Sequence, residues 1–226
     1  MLPAADIDEA YTLYNRGRYE AAAAALESLR DRGELEGPDL GLLGMCYLHL
    51  DRLEDARQAI TLAGRLSPGN YTVLLARGNL LLYQEKYDEA EEVFRRADSF
   101  FPGRMETRNG IAAAFAGRAF ESLRAGDYEA AAEMAGRAWE LQPENLKLLT
   151  ARIAALRQTD RTEELRSAYR DYLELQPESA DAHAGLGLLL YADGLKSDGL
   201  KSDGLKGDDL KGDDLTERGR TEQPLT

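Results

Sequence analysis

The chain has little of what disulfide, metal and membrane proteins depend on. Its 226 residues include one cysteine, Cys46, and two histidines. A single cysteine excludes an intrachain disulfide, so packing alone must hold the fold, and a reducing compartment is the plain expectation. Cys46 and His49 are three residues apart and can share a helix face, but a site of that kind needs about four ligands and the other histidine is His183. No metal and no cofactor is therefore expected. Long apolar runs are also missing: nothing approaches the roughly 18 consecutive apolar residues of a membrane span. The N-terminal MLPAADIDEA lacks the basic start and apolar core of a secretory leader. These absences argue against membrane insertion and for a cytoplasmic protein, with an exported mature form, its leader left out, as the open alternative. Positive charge is in deficit, 28 Lys and Arg against 41 Asp and Glu, for a net charge of −13. Such a field repels phosphate backbones and anionic lipid, which excludes a nucleic-acid role and favours neutral or basic partners. No nucleophile stands beside a base and no glycine-rich phosphate loop follows a strand. The paired carboxylates Glu91, Glu92 and Glu163, Glu164 fall on helices whose outer faces are solvated. No catalytic residue is assigned and the chain is not read as an enzyme.

What is present is an internal period. Tyr19, Leu53, Tyr87, Tyr128 and Thr162 each follow a turn-like residue by two positions, with separations of 34, 34, 41 and 34. Three residues after each come Ala22, Ala56, Ala90, Ala131 and Leu165, and prolines recur at Pro68, Pro102, Pro143 and Pro177. Each unit reads as two helices of about a dozen residues joined by a turn such as NRGRY, LDRL, QEKY or AGDY. Gly44, Gly78, Gly187 and the alanines are expected to let paired helices approach, with Leu26, Ile60, Phe94 and Tyr169 filling the space opposite. Each proline is expected to open the next first helix, where a missing N–H costs nothing. One hairpin cannot bury its own apolar face, so units must stack.

This pattern resembles the tetratricopeptide-repeat family, most clearly in RGNLLLYQEKYDEAEEVFRRADSFFP from Arg77 to Pro102. The resemblance covers about residues 4 to 192 and implies an all-α, right-handed superhelical solenoid of antiparallel helix hairpins. About five units are recognisable, the fifth degenerate at Thr162 and Leu165, followed by a lone C-terminal helix. It further implies a concave groove lined by the first helix of each hairpin, in which a partner peptide or helix lies. Carried over unit by unit, the groove positions are Tyr11, Tyr14 and Asn15, then Met45, Leu48 and His49, then Asn79, Leu82 and Tyr83. Beyond the longer unit they are Asn109, Arg124, Lys147, Arg157 and Gln158. Tyrosine supplies contact area at low entropy cost, and asparagine can bond an extended backbone. The carboxylate clamp that some members use for chaperone tails is not expected. Asn79 matches its asparagine, but Leu75 stands at the lysine position and Lys147 matches only loosely.

Two departures stand out. The fourth unit carries seven extra residues, two helical turns, so its first helix can run from about Arg104 to Ala125, either overhanging the stack or bending at Gly110 or Gly117. A sixth unit opens with SADAHAGLGLLLYADG, and in place of its second helix stands GLKSD GLKSD GLKGD DLKGD DL. Leucine at every fifth residue forms no apolar stripe in a helix or a strand, so residues 193–226 are read as a disordered low-complexity tail behind a solenoid of residues 1–192. Its Asp-Gly steps do not alternate as calcium ligands do, so it is read as a solvated spacer. Leu186, Leu188, Leu189, Leu190 and Tyr191 make the last helix apolar and mark an expected self-association edge. The expected role is a scaffold or adaptor for a protein or peptide partner. The alternatives are a self-assembling structural protein forming a homo-oligomer, and a substrate chaperone for an assembly or secretion machine.

Overall fold

Asp6 starts the first helix by accepting from the backbone N–H of Asp8, and α1 (Ile7–Asn15) turns back into the alanine-rich α2 (Tyr19–Asp31). The computed structural model describes residues 6–197, and among them every regular element is a helix and none is a strand. Four further hairpins follow: α3 (Gly37–His49) with α4 (Leu53–Leu66), α5 (Tyr71–Tyr83) with α6 (Tyr87–Phe100), α7 (Met105–Ala125) with α8 (Tyr128–Leu141), and α9 (Leu146–Leu156) with α10 (Thr162–Leu175). The single helix α11 (Ala180–Ser197) closes the series. Each second helix packs on its own first helix and on the next one, and α3, α5 and α7 also touch in sequence. The molecule is thus the expected all-α solenoid. Residues 1–5 and the pentapeptide run beyond Ser197, which holds most of the expected tail, lie outside the described residues.

The turns repeat as closely as the helices. Arg18, Arg52 and Lys86 donate their backbone N–H to the carbonyls of Leu13, Tyr47 and Leu81 at 3.0, 2.8 and 2.9 Å, the six-to-one bond of a Schellman cap. That cap needs a left-handed residue before the donor. The first turn uses Gly17 at φ 72°, but the next two place Asp51 and Glu85 there at φ 58° and 57°. The second helices stop at Ser67, Phe101, Gln142 and Gln176, whose φ values run from −143° to −135°. Each precedes a proline, which bars the helical conformation from the residue before it. The prolines therefore end second helices; they stand three residues ahead of α5, α7, α9 and α11 and do not open them.

Large side chains from second helices wedge between first helices. A Cβ on Gly78 would lie 2.6 Å from the Phe94 ring, and one on Gly110 would lie 2.5 Å from it, so α5 and α7 clamp one ring between two glycines. Gly44 faces Ile60 and Gly185 faces Tyr169 in the same way. Gly187, expected to let helices approach, has no described residue within 4 Å of its Cβ position; it is Gly185, in register with Gly110, that meets Tyr169. Ala90, Phe94 and Leu26 are fully buried, as the period requires. The long helix α7 is unbroken over 21 residues. Its glycines are seats for rings, Gly110 for Phe94 and Gly117 for Tyr87, and do not bend it. Because Tyr87 begins α6, the residues after Gly117 run past that helix, held by Arg118 to Asp88 and Glu91 at 3.1 Å each. The seven added residues extend the axis by about 10 Å. Behind them a second cluster forms, in which Leu149, Leu156, Leu165 and Tyr169 pack together, and Leu123 of α7 touches both clusters.

Two substitutions test the turn and the wedge by thermal or urea unfolding. Glu85→Gly, which relieves a left-handed non-glycine residue, is expected to stabilise by about 0.5–1 kcal/mol. Gly110→Ala improves helix propensity by about 1 kcal/mol yet is expected to destabilise by about 1–3 kcal/mol, because the clamped Phe94 ring has nowhere to go.

Candidate functional site

On the face formed by α1, α3 and α5 the chain builds a concavity of about 410 Å³ lined by Met45, Leu48, His49, Asn79, Leu82 and Tyr83. All six are expected groove residues, and they meet because positions 45, 48 and 49 recur 34 residues later as 79, 82 and 83 on the adjacent first helix. Met45 and Leu48 are buried and form its floor, while Tyr83 stands half exposed at the rim. None of the six carries a fixed charge.

The polar groups in this floor have weak partners. The Tyr14 hydroxyl donates to Met45 Sδ at 3.7 Å and lies 3.5 Å from His49 Nε2. Asn79 Nδ2 approaches the same sulfur at 3.9 Å. A thioether is a poor acceptor, so both donors keep most of their bonding capacity for a better one such as a peptide carbonyl. Burial pushes the Tyr14 hydroxyl up to about 12, so it stays a donor at every physiological pH. Burial also holds the His49 imidazole below its ordinary value, which keeps it neutral at pH 7.

A residue that the groove positions do not include completes the wall. The Tyr19 ring stacks on His49 with centroids 3.8 Å apart and planes 5° from parallel, and Tyr14 meets Tyr19 edge-on at 5.4 Å. Tyr19 had a sequence signal, the repeat's aromatic position, but that position implies packing within the hairpin and not a groove wall. Tyr11 lies nearby and its hydroxyl donates to Asp39 Oδ1 at 3.4 Å; Asn15 is exposed at the end of α1.

The remaining expected positions do not join this concavity. Asn109 accepts from Gln142 Nε2 at 2.9 Å, a bond between α7 and the end of α8. Arg124 is exposed on the overhanging end of α7, and Lys147 and Gln158 are exposed on and just after α9. Arg157 lines a second concavity of about 410 Å³ with Ile153, Tyr169, Tyr172, Ala184 and Leu188. At the C-terminal edge, Leu189 is buried at 6% exposure and Leu186 packs against the second cluster, so neither is free for a partner. Leu188, Leu190 and Tyr191 are 46%, 51% and 61% exposed. Among the described residues no three His, Cys, Asp or Glu side chains are grouped to hold a metal ion, and no helix is long and apolar enough to cross a membrane.

Two tetratricopeptide-repeat family models match the sequence, one over residues 7–71 and one over residues 71–103. A search of curated proteins by sequence finds no match. Among solved structures the chain is similar to MamA of MSR-1, with a TM-score of 0.56 and 21% identity over 76% of this chain and 95% of that one. It is similar to MamA from residue 41 to the end from Desulfovibrio magneticus RS-1, with a TM-score of 0.52 and 18% identity over 76% and 94% of the two chains. It is also similar to a chain of the APC/C hetero-tetramer Cut9-Hcn1, with a TM-score of 0.53 and 16% identity over 80% of this chain and 35% of that one. At these identities the likeness establishes the fold.

The state of His49 is open to measurement. Because burial lowers its folded value from 6.5, the unfolded chain takes up its proton first, and the stability of the α1–α3 wall should fall as pH drops through about 6.5. An NMR titration of the His49 ring is expected to give a midpoint below 6.5, and stability against pH should flatten over that range in His49→Gln.

Proposed function

The chain belongs to the tetratricopeptide-repeat family, and on that premise we propose that it is an interaction scaffold that holds an extended segment of a partner protein across α1, α3 and α5. The observation that carries this reading is the pair of under-used donors, Tyr14 and Asn79, over the buried sulfur of Met45. An apolar side chain of the ligand would rest on Met45 and Leu48. Its backbone carbonyls would take the Tyr14 hydroxyl and the Asn79 amide, and Tyr83 would close the rim. The floor is apolar and uncharged, so affinity comes from burial and shape. The net charge of −13 then acts at long range, drawing in segments that carry Lys or Arg beside the apolar anchor and doing so faster at low salt. The likeness to a chain of a Cut9-Hcn1 hetero-tetramer supports partner holding by a stack of this kind.

Site-specific photo-crosslinking in the full-length protein tests the proposal. A benzophenone side chain at Tyr83 is expected to capture a recurring partner segment, mapped by mass spectrometry, whereas one at the exposed Leu62 on α4 should not. Asn79→Ala and Tyr14→Phe should each lower the Tyr83 yield about fivefold, the loss of one hydrogen bond of about 1 kcal/mol. Equal capture from Leu62, or yields indifferent to both substitutions, would place the working surface elsewhere.

A further inference from the structure

The edge at α11 has a specific vacancy, and the repeat register says what belongs in it. Counting by the repeat spacings, Gly187 takes in α11 the place of Gly44 in α3 and Gly78 in α5. Those two glycines receive Ile60 and Phe94 from their own second helices. Among the described residues Gly187 receives nothing. The residue in register with Ile60 and Phe94 is Asp203, and those in register with Tyr87 and Ala90 are Lys196 and Gly199. The sequence at those positions does not repeat the large apolar and small residues that second helices use in the earlier units.

Around the socket the helix is two-sided. Ala182, Leu186 and Leu189 pack inward against the second cluster. Ala184, Gly187, Leu188 and Tyr191 are exposed, and at 100° per residue they fall within about 100° of one another on the opposite side. The stripe carries no charge, and its order is small, small, large, large. Two such helices crossing antiparallel about a two-fold axis between residues 187 and 188 set Ala184 against Tyr191 of the other copy and Gly187 against Leu188 of the other copy. Every small residue then meets a large one, and each Gly187 gains the apolar occupant that Gly44 and Gly78 have within their own hairpins. An isologous contact has to be self-complementary in this way. A heterologous helix would need to reproduce by chance a spacing that α11 already carries.

We infer that α11 is the contact of a two-fold homodimer, in which a second copy of this chain covers the exposed stripe of Ala184, Gly187, Leu188 and Tyr191. Its residues are separate from those of the peptide groove, so each surface is tested without the other.

Sedimentation velocity on the full-length protein from about 1 to 100 µM is expected to show a monomer–dimer equilibrium. Leu188→Glu and Tyr191→Glu should weaken it at least tenfold with the helical circular dichroism spectrum unchanged, while Leu190→Glu, exposed but about 110° off the stripe, should leave it intact. Leu188→Cys, beside the two-fold axis, should give a disulfide-linked dimer on mild oxidation; Leu190→Cys should not, and the buried Cys46 is inert in both. Three results would overturn the inference. One is a dimer insensitive to Leu188→Glu, another a monomer at 100 µM whose Leu188→Cys thiol reacts freely with maleimide, and the third a monomer whose thiol is protected, which would mean that the chain's own C-terminal segment is the cover.

Discussion

The solenoid depends on one repeated contact, a large side chain from a second helix pressed against glycine or another small residue of the flanking first helices. Phe94 between Gly78 and Gly110 is its fullest form. Replacing hydrogen by methyl at either glycine would force the helices apart, and the spacing of first helices decides whether a groove exists beside them. Met45 and Asn79 come together over one floor because α3 and α5 are that close. The shape of the concavity and the core packing thus share a cause, and a glycine outside the concavity helps to set its width.

The seven added residues of α7 change the register of that contact without breaking the helix. Its N-terminal half packs on α6 at the 34-residue spacing, through Gly110, and its C-terminal half serves α8 at the 41-residue spacing. One uninterrupted helix therefore belongs to two stacks offset along its axis. The neutral, aromatic-walled concavity lies in the first stack, before the offset, while Asn109 and Arg157 serve other contacts. A groove carried forward position by position assumes a constant translation between units, and here the translation changes at α7.

Much of the architecture was legible because the period is written in residues whose roles are steric. Alanines at 22, 56 and 90 are fully buried, and six groove positions converge. What was not legible depends on angle around a helix. Gly185 and Gly187 are two residues apart and look interchangeable in the sequence, yet they point about 160° apart, one at Tyr169 and the other at no described residue. The run Leu188, Leu189, Leu190 has no periodicity, so only packing reveals that Leu189 faces inward. Tyr19 marks the period, and its stacking on His49 depends on a histidine that no other first helix carries at that place. The prolines close the units, as their 34- and 41-residue spacing implies, but they stand three residues short of the first helices that they are expected to open.

The two core clusters meet along α7, α8 and α9, and the thinly covered end beyond them bears on how the molecule comes apart. Units coupled only to their neighbours open in sequence from their ends, and the two clusters are joined through Leu123 of α7 and through α8 and α9, each of which gives buried residues to both. The stretch from α9 to α11 can then exchange its amide hydrogens through openings that leave α3 to α6 closed. In a stretched molecule α11, which among the described residues packs on α10 alone, would act as a fuse. The C-terminal end, which carries the proposed dimer contact, would yield first, and the concavity between α3 and α5 would still be formed when that link had gone.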